Sequence, residues 1–339
     1  MNLALKRQKG SVLILVLIVL SSMTILSVGL AYRTRIEMKL AYANARRTQV
    51  YYLALGGIER IKTLISQQEL SPQVIAKICQ FGSSANEERL FEQLKDFDLP
   101  EQTVLIYSLR DEQGYLNINN SDPASWENIG ISSQFIAGIV DWIDADDDTS
   151  PDGAETDFYE QLEPAYVSKN SPCATLKELL FIREVIPANY LGSLSDASQS
   201  DSKPRSPSDN SIGDLGLVNI FTVYGDGKIN INTASKTILA ALPGLDEQAA
   251  ETILSYRSGP DGRLGTDDDM CFGGTTELST VEGLTELQIE LLGQYCCFDS
   301  GYFRIFSYAS LDNTYECCLM ATVTYTENEP RVLYVERLL

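Results

Sequence analysis

Residues 1–32 read MNLALKRQKG followed by SVLILVLIVLSSMTILSVGLAY, and this stretch decides the architecture. Lys6, Arg7 and Lys9 stand directly before a run, Ser11–Tyr32, that holds no charged residue. At ~1.5 Å per helical residue such a run covers the ~30 Å hydrocarbon core of a bilayer. Basic residues ahead of the span place the first ten residues in the cytoplasm and everything after Tyr32 on the far side. Arg33 and Arg35 weaken that asymmetry, but a long translocated domain is little affected by such charges. A secretory signal would carry a shorter apolar core with a small-x-small site behind it. Here the expected cut lies in front of the core, between Gly10 and Ser11.

Helical character continues past the span. Ile36, Leu40, Ala43, Val50, Leu53, Ile58, Ile61 and Leu64 recur at three- to four-residue spacings among charged residues. One helix from Ser11 to about Ser66 is expected, half in lipid and half packed on a globular head, with a kink at Gly56-Gly57. Far from it in sequence, three runs alternate as strands: Tyr302–Tyr308, Cys318–Tyr325 and Arg331–Glu336, the first two joined by a turn at Asp312-Asn313. They predict a three-stranded antiparallel meander lying on the long helix.

The chain has 339 residues, 26 basic and 47 acidic, for a net charge of −21. That surface repels phosphate backbones, so no nucleic-acid partner is expected, and it attracts cations. There is no histidine, which excludes His-based triads and His-ligated zinc. No nucleophile elbow or phosphate loop is present, and the carboxylates lie in consecutive loops, so a non-enzymatic protein is expected. Seven cysteines occur with no CxxC spacing, among them two vicinal pairs, Cys296-Cys297 and Cys317-Cys318. A disulfide between the pairs and a set of small buried thiols both fit. Vicinal residues of a strand face opposite ways, so at most one of each pair can bond a given neighbour.

Between the helix and the meander lies a weak duplication. Gln113–Asp152 aligns with Gly227–Asp261. Each copy opens on a β-like run, Leu116–Asn119 or Ile229–Asn232, whose final Asn is an expected helix cap. Each continues as a helix pair and ends in an acidic, Gly-containing loop. The second copy contains Leu242-Pro243-Gly244-Leu245, a helix-hairpin-helix pattern read here as packing, because Asp246, Glu247 and Glu251 surround it. Residues 192–214 are rich in Ser, Asp and Pro and read as a disordered linker between the copies.

The first loop places eight carboxylates, from Asp141 to Asp157, within seventeen residues. Asp144, Asp146 and Asp148 alternate, so they can converge where the chain wraps a small cation; Gly153 allows the turn and Glu155 can close the shell. Oxygen donors without His or thiolate select Ca²⁺. The spacing is not that of an EF-hand. Asp261, Asp267, Asp268 and Asp269 repeat the chemistry around Gly262 and Gly265.

The basic leader ending in Gly, then a continuous apolar helix, resembles the type III signal of pilins and pseudopilins. The resemblance implies that a prepilin peptidase cleaves after Gly10 and methylates Ser11. Most pilins carry Glu at the fifth mature position, which is Leu15 here, and K-type subunits are similar to this chain in lacking it. DWIDADDDTSPDGAETDFY (141–159), with LRDEQGYLNINN (109–120) and SKNSPCATLKELLFI (168–182), resembles the K-type minor pseudopilins of type II secretion.

That family implies an α+β, pilin-like fold with a long N-terminal transmembrane α-helix, a C-terminal antiparallel β-sheet and a large inserted α-helical domain. The expected divisions are a leader over 1–10, a transmembrane stretch over 11–32 and helix plus first head segment over 33–115. The calcium-binding insert then spans 116–295 and the head strands 296–339. Calcium is carried by resemblance onto Asp144, Asp146, Asp148, Glu155 and Asp157, and secondarily onto the 261–269 loop. Implied partners are the I- and J-type minor pseudopilins, the major pseudopilin, the prepilin peptidase and the inner-membrane assembly platform. The implied place is the inner membrane, crossed once, with the head in the periplasm. A minor pilin or adhesion subunit of a type IV pilus is the alternative; it shares leader and spine.

Overall fold

The computed structural model describes residues 9–66, 103–192, 216–264, 266, 268–325 and 330–338. Leader residues 1–8, Cys79, residues 193–214 of the expected linker, Gly265 and Asp267 lie outside the described residues.

Helix α1 runs from Lys9 to Ser66 without interruption. Val12–Tyr32 is exposed on every side and is long and apolar enough to cross a membrane. From Val50 the same helix turns one face inward. Val50, Ala54, Ile58, Ile61, Leu64 and Ile65 are buried against a sheet, while Ile36 and Leu40 remain exposed. The sheet has four strands, β1 (Thr103–Asp111), β6 (Tyr302–Leu311), β7 (Tyr315–Thr324) and β8 (Arg331–Arg337), in the order β1-β6-β7-β8 and antiparallel throughout. Intervening strands β2–β5 are two-residue pieces of the insert. Three of the four sheet strands follow the alternation of the sequence. The fourth, β1, is added at the free edge of β6. Asp312 and Asn313, with φ of 53° and 50°, open the three-residue turn 312–314 between β6 and β7, closed by Thr314 N donating to the Leu311 carbonyl at 3.1 Å; both are residue types that tolerate the left-handed region.

The expected kink at Gly56-Gly57 is absent: α1 is helical through both residues. What Gly57 provides is proximity. A Cβ there would overlap the Tyr107 ring and Ser307 Oγ, whereas one on Gly56 would meet nothing within 4 Å. The sheet therefore closes onto α1 at a hydrogen atom.

The chain leaves the head after β1 and returns just before β6, so residues 116–297 form an insert with its own core. Its two copies are alike in detail. Strand β2 (Leu116–Asn117) pairs in parallel with β3 (Phe221–Thr222), and β4 (Ile229–Asn230) in parallel with β5 (Cys296–Cys297). Helix pairs follow: α2 (Pro123–Ile129) with α3 (Ser133–Ile143), and α6 (Lys236–Ala241) with α7 (Glu247–Arg257). Gly130 and Gly244 take positive φ, 90° and 77°, at equivalent hairpin turns.

Asn119 and Asn232 are not helix caps. Those roles fall to Asp122 and Ser235, whose side chains accept from Ala124 N and Ile238 N. Asn119 instead brackets Cys173, accepting from its N–H at 2.8 Å and donating to its carbonyl at 3.0 Å. Asn232 does the same to Phe272, at 2.7 and 2.9 Å. Each copy thus uses one amide to pin a distant backbone segment that no sheet satisfies. Strand β5 pairs inside the insert, so the head resumes at Tyr302, a few residues after the expected boundary.

The described cysteines are all thiols. Cys296 is buried in the core of the insert and Cys317 in that of the head. No bond joins the two vicinal pairs in the structure, because each pair contributes its buried member to a different core.

A buried polar joint fixes insert to head. Asp111 accepts from Gln113 N, Asn230 Nδ2, Thr233 Oγ1 and Ser300 Oγ. Glu112, fully buried, takes the Arg304 guanidinium on both oxygens and the Thr222 hydroxyl. Gln113 Oε1 accepts from Gly301 N at 2.7 Å.

Gly57→Ala is expected to lower the thermal unfolding midpoint of the detergent-solubilised chain, because overpacking costs about 1–3 kcal/mol. Gly56→Ala, one residue away, is expected to hold or raise the midpoint, because helix propensity adds up to ~1 kcal/mol of stability. Equal effects of the two substitutions in a thermal melt contradict the close approach.

Candidate metal centre and family

Helix α3, with sequence SQFIAGIVDWI, is apolar enough to be buried on most sides, yet it carries Asp141 two residues before its end. Asp141 has no exposed surface and accepts from Ser150 N at 3.2 Å. Helix α3 stops at Ile143, and the chain loops outward through Asp146–Asp148. It returns past Ser150–Gly153 to α4 (Thr156–Tyr159). Gly153 passes so close to the Asp141 carboxylate that any Cβ would overlap it. That passage delivers Glu155 beside Asp141 and Asp144, each with a carboxylate oxygen within 4.8 Å of the others.

Glu155 is 2% exposed, and neither of its oxygens has a hydrogen-bond partner; Asp144 Oδ1 is likewise buried and unpartnered. None of the three carboxylates pairs with Lys or Arg among the described residues. Burial raises the Glu155 pKa most, the nearby Ser168 hydroxyl offsets part of that, and the charges of Asp141, Asp144 and Asp147 add to the rise. Burial first, then Asp146 and Asp141, raises that of Asp144. Three clustered carboxylates, with both Glu155 oxygens and Asp144 Oδ1 buried and unpartnered, fit a hard cation, and oxygen donors alone fit Ca²⁺ better than a transition metal.

Of the five carboxylates expected as ligands, the structure brings Asp144 and Glu155 together. Asp146 and Asp148 are exposed in the outer loop, where Asp146 accepts from Asp148 N at 3.0 Å. Asp157 is exposed on α4. Asp141 completes the group. Its signal in the sequence was an acid within the apolar stretch GIVDWI. Asn170, also outside the expected set, donates to Asp147 Oδ1 at 2.9 Å and to the Asp146 carbonyl, and its own Oδ1 is buried without a partner. Trp142, next to Asp141 in the chain, and Tyr159, on α4, form an edge-on pair in the core of the insert, ring centroids 5.2 Å apart.

The second loop is arranged differently. Asp268 accepts from Asp261 N at 3.0 Å and from Thr266 Oγ1, while Asp261 accepts from Arg263 N. Asp269 is buried near Arg257, itself buried and donating to the Ala234 carbonyl at 2.6 Å. The described residues of this loop form no three-carboxylate group.

One apolar anchor helix, continuing unbroken into a head where it packs on an antiparallel sheet, defines a pilin-like subunit. The family model "Type II secretion system (T2SS), protein K" matches residues 126–195, which hold the acidic loop, and a helix-hairpin-helix motif matches 225–261, the second helix pair. Type II secretion system protein K of Pseudomonas aeruginosa PAO1 is 25% identical over 285 residues, covering 77% of this chain and 75% of that protein. In fold, the chain is similar to a chain of the solved GspK-GspI-GspJ complex from the type 2 secretion system of enterotoxigenic Escherichia coli. The TM-score is 0.54 at 16% identity, covering 87% of this chain and 99% of that one. Family model, relative and fold together support a reading of the chain as a type II secretion protein K, a K-type minor pseudopilin. The comparisons support this reading and not the type IV pilus alternative.

In metal-free protein the raised pKa of Glu155 has a definite sign. Its proton is held more tightly in the folded state, so the penalty is absent below the unfolded value of ~4.3 and complete above the folded one. With chelator present, Glu155→Gln is therefore expected to unfold a few degrees above wild type at neutral pH. The gap should close as the pH falls to about 4, the unfolded carboxylate range. A gap that does not change with pH contradicts the buried-carboxylate account.

Proposed function

We propose that this subunit caps the periplasmic pseudopilus, held in the inner membrane by residues 11–32 until assembly, and so supports export of folded proteins across the outer membrane. The observation that carries the reading is an anchor helix with no acidic residue anywhere from Ser11 to Tyr32, Leu15 included. A shaft subunit uses a carboxylate at that place to pair with the terminal amine of its neighbour, a costly group in lipid unless paired. A subunit with no neighbour above it has no use for one. The insert adds bulk to the head, which suits the end of a filament better than its close-packed shaft.

The relative in the solved complex assembles with I- and J-type proteins, and we assign the same partners to this chain. The major pseudopilin, the assembly platform and a prepilin peptidase acting between Gly10 and Ser11 complete the set. Its role is structural. The full chain co-expressed with I- and J-type subunits of its own system is expected to purify with both as one complex. Recovery of the chain alone, with I and J still bound to each other, contradicts the assignment.

Calcium belongs to the same proposal. Asp141, Asp144 and Glu155 would hold it, with Asn170 and the outer carboxylates nearby. The ion would supply the positive charge the cluster lacks and tie the end of α3 to the start of α4. Binding only the folded loop, it stabilises by mass action. Terbium added to the metal-free chain is expected to luminesce on excitation of Trp142 and Tyr159 and to be displaced by calcium. Glu155→Gln is expected to weaken that binding at least tenfold and to lose the thermal gain that calcium gives wild type. Unchanged terbium binding in this variant contradicts the site.

A further inference from the structure

Charge is divided very unevenly along this chain. Ser11–Ser66 carries seven basic and two acidic side chains, although the whole protein carries 26 and 47. Five of those bases, Arg33, Arg35, Lys39, Arg46 and Arg47, fall in the fifteen residues after the apolar run. Tyr32, Arg35, Lys39, Tyr42 and Arg46 repeat at i, i+3, i+7, i+10 and i+14. At ~3.6 residues per turn they share one face of α1, an arc of about 80°.

The upper end of this stripe is occupied. Arg46 lies 3.2 Å from Asp312 in the β6–β7 turn and over the Tyr42 ring, 5.3 Å from its centroid. Arg33, on the opposite face, is bridged to Glu37 at 2.9 Å. The lower end is bare: Tyr32 is 68% exposed, and Arg35 and Lys39 are exposed beside it. By helical rise, Arg35 stands ~5 Å and Lys39 ~10 Å beyond the end of the apolar run. The headgroup layer is about 5–7 Å deep on each side of the hydrocarbon. Arg35 lies within it, and the Lys39 stem reaches back into it. Arg46, the first base tied to the head, is ~20 Å above the run, too far for the head to cover this face.

We propose that Tyr32, Arg35 and Lys39 form a binding face for the phosphates of anionic phospholipids in the periplasmic leaflet. A guanidinium forks onto phosphate oxygens and an ammonium adds a point charge. Tyrosine belongs at the headgroup level, ring toward the acyl chains and hydroxyl toward water. The acidic head shares the sign of such lipids and is repelled by them, so this face draws the stalk to an anionic membrane while the head stands clear. The face then holds the subunit in the bilayer until assembly withdraws it. The inference rests on the membrane-anchor reading.

The test uses the full chain in nanodiscs of equal parts phosphatidylcholine and phosphatidylglycerol, with the lipids that stay bound counted by native mass spectrometry. Wild type is expected to retain phosphatidylglycerol several-fold above its bulk share. Arg35→Gln with Lys39→Gln should return retention to the bulk ratio, and Arg47→Gln, off the stripe, should leave it unchanged. Retention at the bulk ratio in wild type overturns the proposal. So does a double variant that keeps its lipids but loses co-purifying pseudopilin subunits, which assigns the stripe to a protein contact. Failure of the chain to enter nanodiscs at all overturns the anchor reading itself.

Discussion

A single helix lies in two solvents, and the rest of the structure is built around that demand. From Val12 to Tyr32 α1 is apolar on every side, a surface suited to lipid or to other apolar helices and not to water. From Val50 to Ile65 the same helix is apolar on one face and buries it against three of the four strands, β1, β6 and β7. Between the two lie nearly five turns outside both the hydrocarbon core and the buried face of the sheet, and there the bases gather. The helix cannot break in that interval without uncoupling head from membrane. The glycine that looks like a weak point, Gly57, serves as the place where the sheet comes closest.

The sheet is too small to carry a large functional surface, and the insert supplies one without disturbing it. It leaves after β1 and returns before β6, and its core is separate from that of the head. What fixes it is the polar joint Asp111-Glu112-Gln113, whose acceptors are met by donors from both halves. A buried ion pair such as Glu112–Arg304 adds little net stability. It does penalise any arrangement in which the two halves fail to meet, so the joint sets orientation more than strength.

Much of this was legible in the residues. The anchor, the extent of α1, the hairpin at Asp312-Asn313 and the paired helices each follow from a local period or turn. Strand β1 was missed because its alternation gains meaning only beside β6, far along the chain. Asn119 and Asn232 looked like caps since Asn before a helix commonly is one; their bonds to Cys173 and Phe272 are long-range. The acidic loop misled by abundance. Eight carboxylates suggested that the densest run, Asp144–Asp148, would converge. Burial selects the group instead, and it selects Asp141 from the apolar end of α3, with Glu155 returned by the tight passage at Gly153.

The proposed filament role calls for a subunit trimmed of its leader, so the N-terminus of the mature protein tests the account most directly. Intact-mass and terminal-peptide mass spectrometry of the chain purified from its own membranes should show the first ten residues gone and a methylated amine on Ser11. A mature chain that still begins at Met1, with an unmodified residue at position 11, would contradict it.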